Sequence, residues 1–156
     1  MIGWPAVHTS PVAMRAAGLR PFLWGAGTML LLPLLAGAAL IAAAGLLSPA
    51  GDAWRDMTEG LGLVLIASSI VTAPVAAVAL PLSYIAARRG YGGWAVALLG
   101  GALLGTLAMS VVAGRLSLGT VIGGISYGPP YALLYWLGAR LGAPMAFVTD
   151  VAPDHA

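Results

Sequence analysis

Cysteine is absent from this sequence, and so are lysine, asparagine and glutamine. Without thiols there is no disulfide, no thiolate nucleophile and no Cys-ligated metal. The two histidines, His8 and His155, lie near opposite ends of the chain, and no metal-ligand spacing is present. No metal and no cofactor is therefore expected. All 7 basic residues are arginines, and charged residues make up 8% of the chain, against about a quarter in a soluble domain. A net charge of +2 is too small and too scattered along the chain to suggest a nucleic-acid partner, and none is expected.

Apolar side chains take up what charge does not. Of the 156 residues 60% are hydrophobic, and the mean hydropathy is +0.96. A core of this size cannot hide so much apolar surface behind so few charges, so the excess faces lipid. The expected fold class is all-α, a polytopic membrane protein with the bilayer as its first partner. Four stretches reach the roughly 17–25 residues that a spanning helix needs: about 22–47, 61–87, 94–114 and 116–139. They form a single bundle over 22–140, between an amino-terminal arm (1–21) and a tail (141–156). The small residues "AGA" and "AAA" in the first span resemble a signal-peptide cleavage site. Its apolar run is longer than the 7–15 residues of a signal core, so an uncleaved first helix is expected.

Arginine sets the orientation. Arg15, Arg20, Arg88, Arg89 and Arg140 fall on one side, Arg55 and Arg115 on the other. The positive-inside rule then puts both termini in the cytoplasm, with Trp24, Trp94 and Trp136 at that interface. Abundant Ala, Gly and Arg point to a bacterial inner membrane.

Within the fourth span, "SYGPPYALLYW" sets Pro129 and Pro130 at mid-membrane. Neither has an N–H, so the carbonyls of Ile125 and Ser126 lose their helical donors, and a helix kinked or broken here is expected. Tyr127, Tyr131 and Tyr135 follow a four-residue spacing. With the prolines they form a candidate groove for a ligand or partner, as broken helices do in transporters. The alternative is structural: belt residues, packing and a hydroxyl for a freed carbonyl. Pro74 and Pro81 interrupt the second span, where Ser68, Ser69 and Thr72 are placed to bond the carbonyls that Pro74 releases.

Small residues mark candidate packing faces. Gly93, Ala97, Gly101 and Gly105 form one row, and Gly119/Gly123 and Gly124/Gly128 form two further pairs. Packing between the third and fourth helices or a contact with a second protein both account for them. In the first external loop, Asp52, Asp56 and Glu59 would share a helical face, with Arg55 spaced to pair with Glu59. A solvated turn with Trp54 and Met57 in the interface is the ordinary reading.

The proposed spans carry no Asp, Glu, His or Lys. Ion and proton pathways use such groups, and a serine nucleophile needs a base beside it. No enzyme is expected. Residues 79–105, "ALPLSYIAARRGYGGWAVALLGGALLG", resemble small uncharacterised four-helix proteins of proteobacterial inner membranes, in which a Leu-Pro helix end and a paired-Arg turn precede a Gly-rich helix. That resemblance implies an inner-membrane, four-helix topology and no activity. The leading expectation is an accessory or assembly subunit, or a small bundle, acting through helix–helix contacts with another membrane protein or with itself. The alternative is a permease component for a neutral or lipophilic solute, using the broken fourth helix.

Overall fold

The computed structural model describes residues 5–47, 49 and 51–147, and every regular element among them is helical. Helix α1 (Pro11–Ala17) opens with proline at its first position and is capped by Ser10, whose Oγ accepts from the Ala13 N–H at 3.4 Å. Four long helices follow: α2 (Arg20–Leu47), α3 (Ala53–Arg88), α4 (Trp94–Ala113) and α5 (Leu118–Gly142). A 3-10 turn, Pro144–Phe147, closes the described chain. His155 and the rest of the tail beyond 147 lie outside the described residues.

Helices α2, α3 and α4 are each long and apolar enough to cross a membrane. Helix α5 has the length, but its Gly, Ser, Thr, Tyr and Pro residues make it less apolar. Its position explains the difference. It packs against both α2 and α4, and Thr120, Gly124, Tyr135, Trp136, Gly138 and Ala139 are buried. Its buried face meets two helices and not lipid, while Leu118, Ile122, Ile125 and Leu141 stay exposed on the other.

Two expectations are corrected. The second long helix starts at Ala53, not near residue 61, because Asp52 caps it: its Oδ1 accepts from the Trp54 N–H at 3.2 Å. The segment expected as a loop thus continues α3 to 36 residues, about 54 Å at 1.5 Å per residue. A hydrocarbon core is roughly 30 Å thick, so α3 projects from it. Arg55 and Glu59 pair on this extension at 2.7 Å. The second correction concerns the fourth helix: of the kink or break expected there, the break into two half-helices is overturned. Pro129 and Pro130 both lie inside the continuous α5. Lost donors at Ile125 and Ser126 are tolerated where neighbouring helices hold the segment, and Gly128 is pressed against α4.

The packing order is α3–α2–α5–α4. Helices α3 and α4 are consecutive in sequence yet touch only sparsely. Close glycine contacts hold the row together. A β-carbon on Gly37 would come within 2.5 Å of the Gly62 carbonyl, joining α2 to α3. One on Gly25 would lie 2.6 Å from the Tyr135 carbonyl, joining α2 to α5. Up-and-down connectivity brings Arg20, Arg88, Arg89 and Arg140 to one end of the bundle. Arg55 and Arg115 fall at the other.

The arginine-rich end is closed by the arm and the tail. The carbonyls of Pro5, Ala6 and Val7 accept from the N–H groups of Trp94 (3.1 Å), Ala95 (2.9 Å) and Gly93 (3.1 Å). These are donors that the start of a helix leaves without partners. Met14 and Phe147 are buried there with Phe22 and Trp136, the Trp136 and Phe147 rings meeting edge to face at 5.9 Å.

Candidate functional site

Because α3 and α4 diverge, a groove opens between them, and α5 forms its floor. Its volume is about 650 Å³, within the range of roughly 300–1,000 Å³ of small-molecule sites. The α3 wall presents Ser68, Val71, Thr72, Val75, Ala79 and Ser83, and the α4 wall Val96, Ala97, Gly100 and Leu104. Small side chains on α4 keep that wall thin. Phe22, Tyr91 and Phe147 close the arginine-rich end.

Of the candidate groove residues, Tyr127, Tyr131 and Tyr135 line this space, and Pro129 and Pro130 do not. The tyrosine stripe survives because α5 continues through the prolines. Tyr131 and Tyr135 also tie α5 to the far wall. The Tyr131 hydroxyl is hydrogen-bonded to Ser68, and that of Tyr135 to Ser83 at 2.7 Å.

Each serine also lies within hydrogen-bond distance of a carbonyl of its own helix, Ser68 Oγ 2.7 Å from that of Leu65 and Ser83 Oγ 2.9 Å from that of Leu80. In each serine–tyrosine pair either hydroxyl can be the donor. Ser69 likewise bonds the Leu65 carbonyl at 3.3 Å, and Thr72 bonds that of Ser68. The carbonyl that Pro74 deprives of its donor is Ile70, so these hydroxyls do not serve the role expected of them.

The candidate packing residues divide. Gly101 and Gly105 of α4 face Gly124 and Gly128 of α5, where an added β-carbon would strike backbone at each of the four. Ala97 packs at the edge of the buried cluster. Gly93 lies against the backbone of Ala6, Gly123 faces only the Met109 side chain, and Gly119 meets nothing closer than 3.8 Å. The row on α4 is thus spent within the chain. Among the described residues no group of three His, Cys, Asp or Glu side chains is placed to hold a metal.

Sequence spacing missed Ser68 and Ser83 as partners of the tyrosines, since 63 and 52 residues separate the pairs. Nor did it find Gly100, whose outward face lines the groove beside the buried face of Gly101. No family model, no curated protein and no solved structure matches this chain.

Proposed function

We propose that this protein is a non-enzymatic, four-span protein of a bacterial inner membrane, with both termini cytoplasmic, that binds a lipophilic guest in the groove between α3 and α4. The groove itself carries this reading: a volume of about 650 Å³, apolar walls and a few convergent hydroxyls meet the usual description of a ligand site. Such a protein fits as the membrane component of a system that moves or senses a lipophilic solute. With α5 taken as the fourth span, the arginine distribution sets the orientation.

Gly100 supplies the test, since a β-carbon there meets nothing within 4 Å apart from its own helix. Gly100→Phe fills the groove without entering the α4–α5 contact. Native mass spectrometry of the full chain, released gently from its membrane, is expected to show a bound lipophilic species that the variant loses. The same species at the same occupancy in both would overturn the reading.

A second reading, an accessory subunit acting through helix–helix contact, draws on α4. That helix has no buried residue, and Leu99, Leu103, Leu107 and Val111 form one exposed row. A membrane partner that co-purifies with the wild type and is lost on substituting Leu99, Leu107 and Val111 by alanine, with the groove-lining Leu103 kept, would favour it over the guest.

A further inference from the structure

We propose that the arginine-rich end of the bundle, with α1 across it, docks the headgroups of anionic phospholipids. This surface lies outside the groove, and the proposal stands without a guest there. Phe22 of α2 and Tyr84 of α3 meet edge to face at 5.4 Å, which draws the ends of these two helices together. Arg20 lies half a turn before Phe22. Arg88 lies one turn after Tyr84, with its guanidinium 5.4 Å from the centre of that ring. Arg89 follows in the turn to α4, and this turn is tied to the arm, because the Gly90 carbonyl accepts from the Thr9 N–H at 2.8 Å. Helix α1 begins two residues after Thr9 and carries Arg15. It packs against α3 and against the Pro144–Phe147 turn, so Arg15 joins the other three at the same end.

Charge and exposure together fit this surface to a lipid. Arg15, Arg20, Arg88 and Arg89 are all exposed. Among the described residues the acidic ones, Asp52, Asp56 and Glu59, lie at the opposite end of the bundle, and Asp150 and Asp154 lie outside the described residues. The cluster thus meets no carboxylate of the described chain. Beside it the arm presents apolar surface: Val12 and Leu19 are 69% and 50% exposed, and Ala16 between them is exposed too. A short helix with such a face sinks into the headgroup boundary, and arginines reach from there to phosphate. Trp24 and Trp94, both exposed within about a turn and a half of Arg20 and Arg89, set the cluster at headgroup depth. A nucleic acid, an acidic protein or a free phosphate would answer the charge and leave Val12, Ala16 and Leu19 in water. An anionic phospholipid answers both, and arginine clusters beside spanning helices bind such lipids.

The experiment titrates phosphatidylglycerol or phosphatidylcholine, with the same acyl chains, into the full chain in detergent micelles and reads bound lipid by native mass spectrometry. The wild type is expected to hold the anionic lipid at least about fivefold more tightly, the factor that one arginine near a charged lipid surface supplies. That preference should shrink as salt is raised. Combining Arg15→Gln, Arg20→Gln, Arg88→Gln and Arg89→Gln should erase it and leave phosphatidylcholine binding unchanged, which also shows that the variant is folded. Arg115→Gln, exposed at the other end, should keep it. Equal affinity of the wild type for the two lipids would overturn the proposal, and so would a preference that survives the four exchanges or is indifferent to salt. Displacement of phosphatidylglycerol by glycerol phosphate at equal concentration would overturn it as well, in favour of a soluble phosphate. Gly100→Phe should not alter the preference, so the groove and the arginine surface stand or fall separately.

Discussion

A β-carbon on Gly128 would fall on the carbonyl oxygen of Gly101, and one on Gly101 would lie 2.7 Å from the carbonyl of Gly128. The two backbones meet without side chains between them, at a point of α5 between Tyr127 and Tyr131, which floor the groove. This contact explains how a helix with consecutive prolines stays continuous. Van der Waals packing of small residues drives helix association in lipid, and here it holds α5 where two of its own hydrogen bonds are missing. The same contact leaves α4 attached to α5 alone along most of its length, which is why a groove opens on its other side.

Adjacent glycines on α4 should therefore answer differently to the same change. Gly101→Leu drives a side chain into Gly128 and Ala132 and is expected to destabilise the bundle by about 1–3 kcal/mol or more. Gly100→Leu points into the groove and should cost less than about 1 kcal/mol, since leucine favours a helix over glycine. Unfolding of both variants in mixed micelles by SDS titration measures the difference. Equal destabilisation would mean that the α4–α5 contact is not as close as described.

Much of this was legible in residues whose physics is local. The apolar runs mark the helices, and the Gly101/Gly105 and Gly124/Gly128 pairs mark the packing of α5 against α4. The start of α3 was missed because Asp52 caps a polar turn that reads as a loop until α3 continues it. The break expected at Pro129 and Pro130 is absent for the opposite reason: the cost of the prolines is local, and the α4 and α2 contacts that keep the helix continuous are distant in sequence. The Tyr131–Ser68 and Tyr135–Ser83 pairs were out of reach, because hydroxyls on separate helices meet only once the order α3–α2–α5–α4 is known.

Tyr135→Phe keeps the ring that packs against Gly25 and removes the hydrogen bond to Ser83. Hydrogen bonds between membrane helices average about 0.6 kcal/mol and reach roughly 1.7. A loss in that range is expected, because Ser83 keeps its own bond to Leu80. The double mutant with Ser83→Ala should add little beyond the single change, which an SDS unfolding cycle of the four proteins tests. Strictly additive losses would show that the two hydroxyls do not interact.

The arm depends on Thr9, which is buried and whose Oγ1 accepts from the Gly92 N–H at 3.2 Å. Thr9→Val keeps the shape and leaves that N–H without a partner, at a cost of about 1–3 kcal/mol. The loss should be local. Hydrogen exchange at Gly92–Ala95 is expected to accelerate while amides in the middle of α4 stay protected. Unchanged exchange at the α4 start would mean that the carbonyls of Pro5, Ala6 and Val7 hold the arm without help from Thr9.

Orientation is open to a clean labelling experiment because the chain contains no cysteine. Ala53, Leu116 and Arg89 are all exposed, and single cysteines there probe both ends of the bundle. If Arg88 and Arg89 lie in the cytoplasm, a membrane-impermeant thiol reagent applied to whole cells should modify Ala53→Cys and Leu116→Cys. Arg89→Cys should react only after lysis. The reverse pattern would invert the protein in the membrane, against the arginine bias. Leu141→Cys, exposed at the end of α5, tests the fourth span: it should react only after lysis, whereas labelling in whole cells together with Leu116→Cys would remove α5 from the spanning set. The two sites that flank α5 thus decide its crossing, which its composition leaves to be inferred from its neighbours.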